Sequence, residues 1–242
     1  MGKKEQKYYV FNYNLGILNF LSLLLLVGLG IVTYYLYKWG FINSMFGSSS
    51  AKWNDFDFIF FILGMFGWII LHEFIHGIMY YLNGAEWKNI VFGVELEKGV
   101  FCCLCKEEIS RKNILISSIS PCLIIGVITY VLGIVFHNMI LILFSIMNIG
   151  SSIADIVLFL YLLKLPSDIK FREYDDATGF CIVSKSDIKD IKSYGLKLID
   201  VFDDNKKISN DKYPKFYISK TSRIIVSLFL VVILLCILNI LF

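Results

Sequence analysis

The chain is poor in charge and in histidine. Only 18% of its 242 residues are Asp, Glu, Lys or Arg, and only 3 are His. The charges fall in a few clusters and leave long uncharged runs between them. Together with 57% hydrophobic residues and a mean hydropathy of +0.69, this excludes an ordinary soluble domain of that length. No Gly-rich nucleotide-binding loop, no Ser-centred hydrolase motif and no internal repeat is present. No small-residue cleavage site follows the first apolar run, and that run is too long for a secretory signal, so it reads as a retained anchor.

Five runs reach the roughly 18 apolar residues that mark a spanning helix. They are Leu15 to Tyr37, Phe56 to Leu82, Ile114 to Phe136, Met139 to Leu163 and Ile224 to Phe242. The third and fourth are joined by His137 and Asn138 alone and form a tight hairpin. The expected fold is thus an all-α membrane protein of about five transmembrane helices. A short β-hairpin is expected between spans two and three, where Val91 to Leu96 and Val100 to Leu104 flank Glu97-Lys98-Gly99. The domains read as a membrane-embedded core over 1–164, a cytoplasmic loop or small subdomain over 165–221, and a C-terminal transmembrane helix over 222–242.

With the N-terminus in the cytoplasm, 21 of the 23 Lys and Arg residues fall on the cytoplasmic side, leaving only Lys38 and Lys52 outside. Basic residues favour cytoplasmic loops, so the expected arrangement is multi-pass, N-terminus cytoplasmic and C-terminus outside. The net charge of +3 then reflects topology and lipid contact, and no nucleic-acid partner is implied. The bilayer is the expected partner. Abundant Lys and Ile with only three Arg suggest an AT-rich bacterial genome and an inner-membrane location. Cys102, Cys103, Cys105 and Cys181 fall on the cytoplasmic side, where thiols stay reduced, so no disulfide framework is expected. Cys-Cys-x-Cys lacks the spacing of a zinc pair.

The chemistry lies in the second span, in His72-Glu73-Phe74-Ile75-His76. Residues four apart on a helix sit one above the other, so the two imidazoles can share a zinc ion. Glu73 lies close enough to polarise a water held there. With three His in the chain, such a pentad arises by chance in roughly one of a thousand such sequences. Zinc takes a third protein ligand and keeps one position open for water. Asp155 is the ionisable residue of the other spans that fits. His72, His76 and Asp155 all lie about 9–15 Å from the cytoplasmic ends of their helices, at about 1.5 Å per residue. His137 sits in the outer turn, at the wrong depth. Asn148 is placed to support a ligand or bind a substrate backbone. Gly64, Gly67 and Gly77 and the Gly150-Ser151-Ser152 stretch permit close helix approach and local unwinding, and Pro121 is expected to kink the third span. A hairpin edge strand beside such a site can bind an extended substrate.

His72-Glu73-x-x-His76-Gly77, Ser120-Pro121 and Asn148-x-Gly150-Ser151-x-x-x-Asp155 resemble the zincin peptidase family of bacterial membrane proteins, which is similar to the site-2 proteases. The resemblance runs from about Gly64 to Val183. It implies a membrane-embedded zinc site of His72, His76 and Asp155 with Glu73 as general base. Ile156 follows Asp155, where the site-2 pattern has Gly. The implied activity is zinc-dependent hydrolysis of a peptide bond of a membrane or membrane-proximal substrate, a protein or peptide, at a site inside the bilayer near its cytoplasmic face. The alternative is a non-enzymatic membrane accessory or binding protein with a structural or vestigial metal site.

Overall fold

The computed structural model describes residues 6–40, 55–95, 100–173, 179–192 and 194–203. In chain order they form β1 (Lys7–Tyr13), α1 (Leu15–Lys38), α2 (Asp55–Leu82), β2 (Ile90–Glu95), β3 (Val100–Cys105), β4 (Ile109–Ser110), α3 (Arg111–Pro121), a π-helical stretch (Cys122–Ile128), α4 (Thr129–Val135), α5 (Met139–Ser151), α6 (Ile153–Leu162), β5 (Lys170–Glu173), β6 (Gly179–Ser184) and β7 (Leu196–Asp203). The proposed fifth span and all of 204–221 lie outside the described residues.

Three helices are long and apolar enough to cross a membrane: Leu15–Lys38, Ile62–Leu82 and Arg111–Val135. The pair Met139–Ser151 and Ile153–Leu162 qualifies as a fourth if a 49° bend is allowed within one span. Helix α1 shows what kind of surface this is. Only Leu18 and Thr33 along it are buried, and Phe20, Leu23, Leu24, Val27 and Ile31 are each more than half exposed. A continuous apolar face of that size is an aggregation hazard in water and is at rest in lipid.

The fold is not all-α. An antiparallel five-stranded sheet of order β4-β5-β6-β1-β7 sits beside the helices, with β2 and β3 forming a separate two-stranded sheet. Strand β1 lies between β6 and β7, with Tyr9 opposite Ile182 and Val201. Lys7–Tyr13, immediately ahead of the first apolar run, is therefore an interior strand of the sheet. Tyr-Tyr-Val-Phe combines aromatic and β-branched side chains that suit a pleated surface. Its Tyr9 and Phe11 point into the core together with Phe171, Phe180 and Ile182. Phe180 stacks on Phe171 at 5.2 Å and on Phe11 at 5.4 Å between ring centroids. Each such buried side chain stabilises by about 1.5–3 kcal/mol.

The same core takes Leu18 of α1, Tyr80 of α2, Ile114 of α3 and Val157, Leu158, Tyr161 and Leu162 of α6. The sheet thus gathers one end of α1, α2, α3 and α6. Short caps make the joints. Asn14, between β1 and α1, accepts from the Ile17 N–H at 3.3 Å, and Ser110, ending β4, accepts from the Asn113 N–H at 3.3 Å. Arg111 donates to the carbonyls of Leu162 and Leu163, both at 2.8 Å. It satisfies the carbonyls left open at the end of α6 and places a cation there.

The expected hairpin is present, with Ile90 opposite Cys105 and Glu95 opposite Val100. Pro121 produces no sharp break. The helix continues through it as π-helical turns from Cys122 to Ile128 and remains one Arg111–Val135 segment. π turns free backbone carbonyls that a regular helix would use, and the Pro121 carbonyl accepts from Asn148 Nδ2 at 3.3 Å.

Candidate metal centre

His72 and His76 lie one turn apart on α2, both buried. Their Nε2 atoms are 3.2 Å from each other. The Asp155 carboxylate closes the group, with Oδ2 3.2 Å from His72 Nε2 and Oδ1 3.5 Å from His76 Nε2. One ligand atom from each residue lies within 4.8 Å of the others. Among the described residues this is the one cluster of three such side chains close enough to share a metal ion.

A helix break brings Asp155 to this point. The Asn148 carbonyl accepts from the Ser152 N–H at 3.0 Å, from Ser152 Oγ at 2.7 Å and from Ser151 Oγ at 2.9 Å. Serine hydroxyls that bond back to a carbonyl one turn earlier bend helices. Gly150 adds close packing, since a Cβ there would collide with the Leu26 side chain of α1. The chain turns by 49° and restarts as α6, with Asp155 in its first turn.

The ring nitrogens turned away from the cluster settle which ones face it with a lone pair. His76 Nδ1 is 2.8 Å from the Ser117 carbonyl. A carbonyl only accepts, so Nδ1 carries the proton and a neutral His76 offers Nε2 as an acceptor. His72 Nδ1 is 2.9 Å from Asn148 Oδ1. Asn148 donates its amide nitrogen to the Pro121 carbonyl, which leaves its oxygen to accept from His72. When both rings are neutral they therefore turn lone pairs toward each other and toward a carboxylate. Three acceptors converging in this way call for a cation between them. Two imidazoles and a carboxylate form a donor set that suits zinc, and the Ser117 and Asn148 contacts fix the ring tautomers as outer partners of metal-binding His commonly do.

The hairpin covers the neighbouring face of α2. Gly77 follows His76 and lies one turn after Glu73. A Cβ there would collide with the Phe92 ring and come within 3.3 Å of Cys103 Sγ, so the glycine lets the hairpin lie flat on the helix. The Cys103 N–H donates to Glu73. Two residues on, the Cys105 N–H donates to Glu173 at 2.5 Å, and Tyr80 Oη donates to the same carboxylate at 2.8 Å. Glu73, Glu173, Asp155 and both His line one cleft of about 280 Å³, with Phe101 among its apolar walls.

Other expected residues lie elsewhere. His137 is exposed at the α4–α5 turn, with φ at 52°. Cys102, Cys103 and Cys105 are buried along β3. Burial pushes the Cys105 thiol up to about 11 and raises Cys103 well above the ordinary thiol range, which disfavours the thiolates a second metal site would need. Cys236 lies outside the described residues.

Tyr80, Ser117 and Glu173 are the site residues that the sequence did not suggest. Tyr80 continues the His72, His76 spacing by one more turn and could have been found that way. Ser117 acts through its backbone, and Glu173 reaches the cleft only through the sheet. Asn148→Ala is expected to weaken zinc binding by about 10–100-fold, the usual effect of losing an outer partner. Chelator competition measures this, and an unchanged affinity would separate Asn148 from the metal.

A membrane-type helix set carrying a buried two-His, one-Asp cluster defines the class. Residues 65–170, somewhat under half of the chain, match the family model described as "Putative zincin peptidase". The matched stretch contains His72, Glu73, His76, Asn148 and Asp155. No curated protein and no solved structure matches the chain.

Proposed function

We propose that the chain is a zinc-dependent peptidase that hydrolyses a peptide bond of a membrane or membrane-proximal substrate, at a site inside the bilayer near the cytoplasmic face. The convergence of His72 Nε2, His76 Nε2 and the Asp155 carboxylate, with Glu73 opening into the same cleft, carries this reading. The similarity of 65–170 to zincin peptidases supports it. The depth assignment rests on the apolar helices and on the basic residues concentrated at the sheet end of the bundle.

His72, His76 and Asp155 would hold the ion, and the rest of the work falls to residues of this chain. A bound zinc ion supplies Lewis acidity and lowers the pKa of water toward 7. Glu73 takes a proton from the attacking water at its carboxylate and returns it to the leaving amine. The Cys103 N–H holds that carboxylate in the cleft. Asn148 and the Ser117 carbonyl keep both imidazoles in one tautomer.

The purified protein in detergent tests this reading. About one zinc per chain and cleavage of membrane peptides support it, and absence of zinc from the wild type would remove the mechanism.

Strand β3 is the candidate platform for the substrate. Its N–H groups at Cys103 and Cys105 are taken by the two carboxylates, which leaves the edge nearer Phe101 to pair with an extended chain. Leu104→Pro, which removes a donor on the side facing β2, is expected to lower cleavage with zinc content unchanged. Undiminished cleavage would discard the platform.

A further inference from the structure

Glu173 has no part in the mechanism above, yet it lies in the same cleft. It ends β5 in the five-stranded sheet and reaches across to the hairpin and to the metal-bearing helix. Its two hydrogen-bond partners, Tyr80 Oη and the Cys105 N–H, are neutral, and each carboxylate oxygen keeps a lone pair for another donor. No Lys or Arg lines the cleft. The described lysines that make ion pairs make them elsewhere, Lys7 with Asp187, Lys88 with Glu86 and Lys170 with Glu108, and none of the described Lys or Arg residues pairs with Glu173. Burial, opposed by those two hydrogen bonds, pushes its carboxyl up to about 7.

The charges of the cleft point the same way. With a divalent ion on the ligands, Asp155 and Glu73 balance its charge, and Glu173 is the carboxylate left over. A buried charge is normally paired, and an uncompensated one is costly. Carboxylates kept at such a cost in a cleft are candidates for function. Position adds a distance. Cys103 and Cys105 present alternate N–H groups along one edge of β3, and alternate residues of a strand are about 7 Å apart. Glu173 therefore meets the strand one two-residue repeat from the place where Glu73 meets it.

We propose that Glu173 determines specificity by receiving a cationic ammonium group of the substrate, carried within about two residues of the bond that Glu73 attacks. The proposal rests on the peptidase reading. The ammonium group belongs either to a lysine side chain or to a free N-terminus, and both offer the same donor to the same carboxylate.

The test is binding without turnover, on zinc-loaded Glu73→Gln protein in detergent. Three fluorescent apolar peptides of one sequence serve as probes: one N-acetylated with an internal lysine, one N-acetylated with norleucine in its place, and one with norleucine and a free N-terminus. One of the two cationic peptides is expected to bind about tenfold tighter than the neutral one, the effect of a single charge-assisted hydrogen bond. Which of them does so identifies the source of the ammonium group. Adding Glu173→Gln is expected to erase the preference while zinc content stays at one per chain. Equal binding of all three, or no binding, overturns the proposal, as does a preference that survives Glu173→Gln. If the double variant does not fold, the comparison on the parent protein still decides, since no preference there is fatal. Cleavage is not read in this experiment, so an inert wild-type protein would count against the peptidase reading alone.

Discussion

Glu73→Gln protein is expected to keep about one zinc per chain and to lose cleavage by about 10²–10⁴-fold, the usual contribution of a general base. The two halves of this result come from different atoms. The metal is assigned to His72, His76 and Asp155, whose ligand atoms converge without Glu73. Gln keeps the length and shape of Glu and still offers an oxygen to the Cys103 N–H, so the hairpin should stay seated on α2. It has no site that takes up a proton near neutral pH. Metal analysis and a cleavage assay on the same preparation read both halves. Wild-type cleavage with zinc retained would remove Glu73 from the chemistry. A biological role that survives the substitution would favour an accessory protein whose metal is structural.

Much of this site is local in sequence, and the rest is not. The pentad offers two candidate ligands and a candidate base through the helical repeat alone, because residues one turn apart must share a face. Asp155 needed a depth argument across two spans, and its carboxylate lies beside both imidazoles. The bend that aims it was foreshadowed by Gly150-Ser151-Ser152, although only the structure shows both hydroxyls bonding to the Asn148 carbonyl. The five-stranded sheet escaped for a physical reason. Its strands are short, and windows long enough to detect a span average over them. Lys7–Tyr13 runs almost directly into the first apolar helix, Leu15–Lys38, and its seven residues are too few to stand out beside that run. Leu196–Asp203 alternates only over Leu196-Lys197-Leu198, and the adjacent apolar pairs Leu198-Ile199 and Val201-Phe202 break the strand signal. Gly179–Ser184 is buried at every residue and carries no alternation to detect. Glu173 was invisible for the same reason, because its place in the cleft follows from the pairing of β5 with β6.

Removing any one of the three ligands is expected to empty the site. His72→Ala, His76→Ala and Asp155→Ala should each fall from about one zinc per chain to near none at ordinary chelator concentrations. Zinc sites of the catalytic kind have three protein ligands, and two leave the ion held little better than by scattered surface groups. Asp155→Asn is the sharper variant. It keeps the size of the side chain and an oxygen acceptor but removes the anion that offsets the dication, and it should lose most of the zinc as well. The same loss should appear as stability. A ligand present at 1,000 times its Kd stabilises the folded state by about 4 kcal/mol, so a chelator should lower the melting temperature of the wild type. The ligand variants should melt at the lower temperature from the outset and show no further response. Zinc lost from the His variants but retained by both Asp155 variants would mean that the carboxylate only hydrogen-bonds the rings and that the third ligand lies elsewhere. Retention in all of them would place the metal away from this cluster and leave the lone pairs of His72 and His76 facing each other with no cation to explain them.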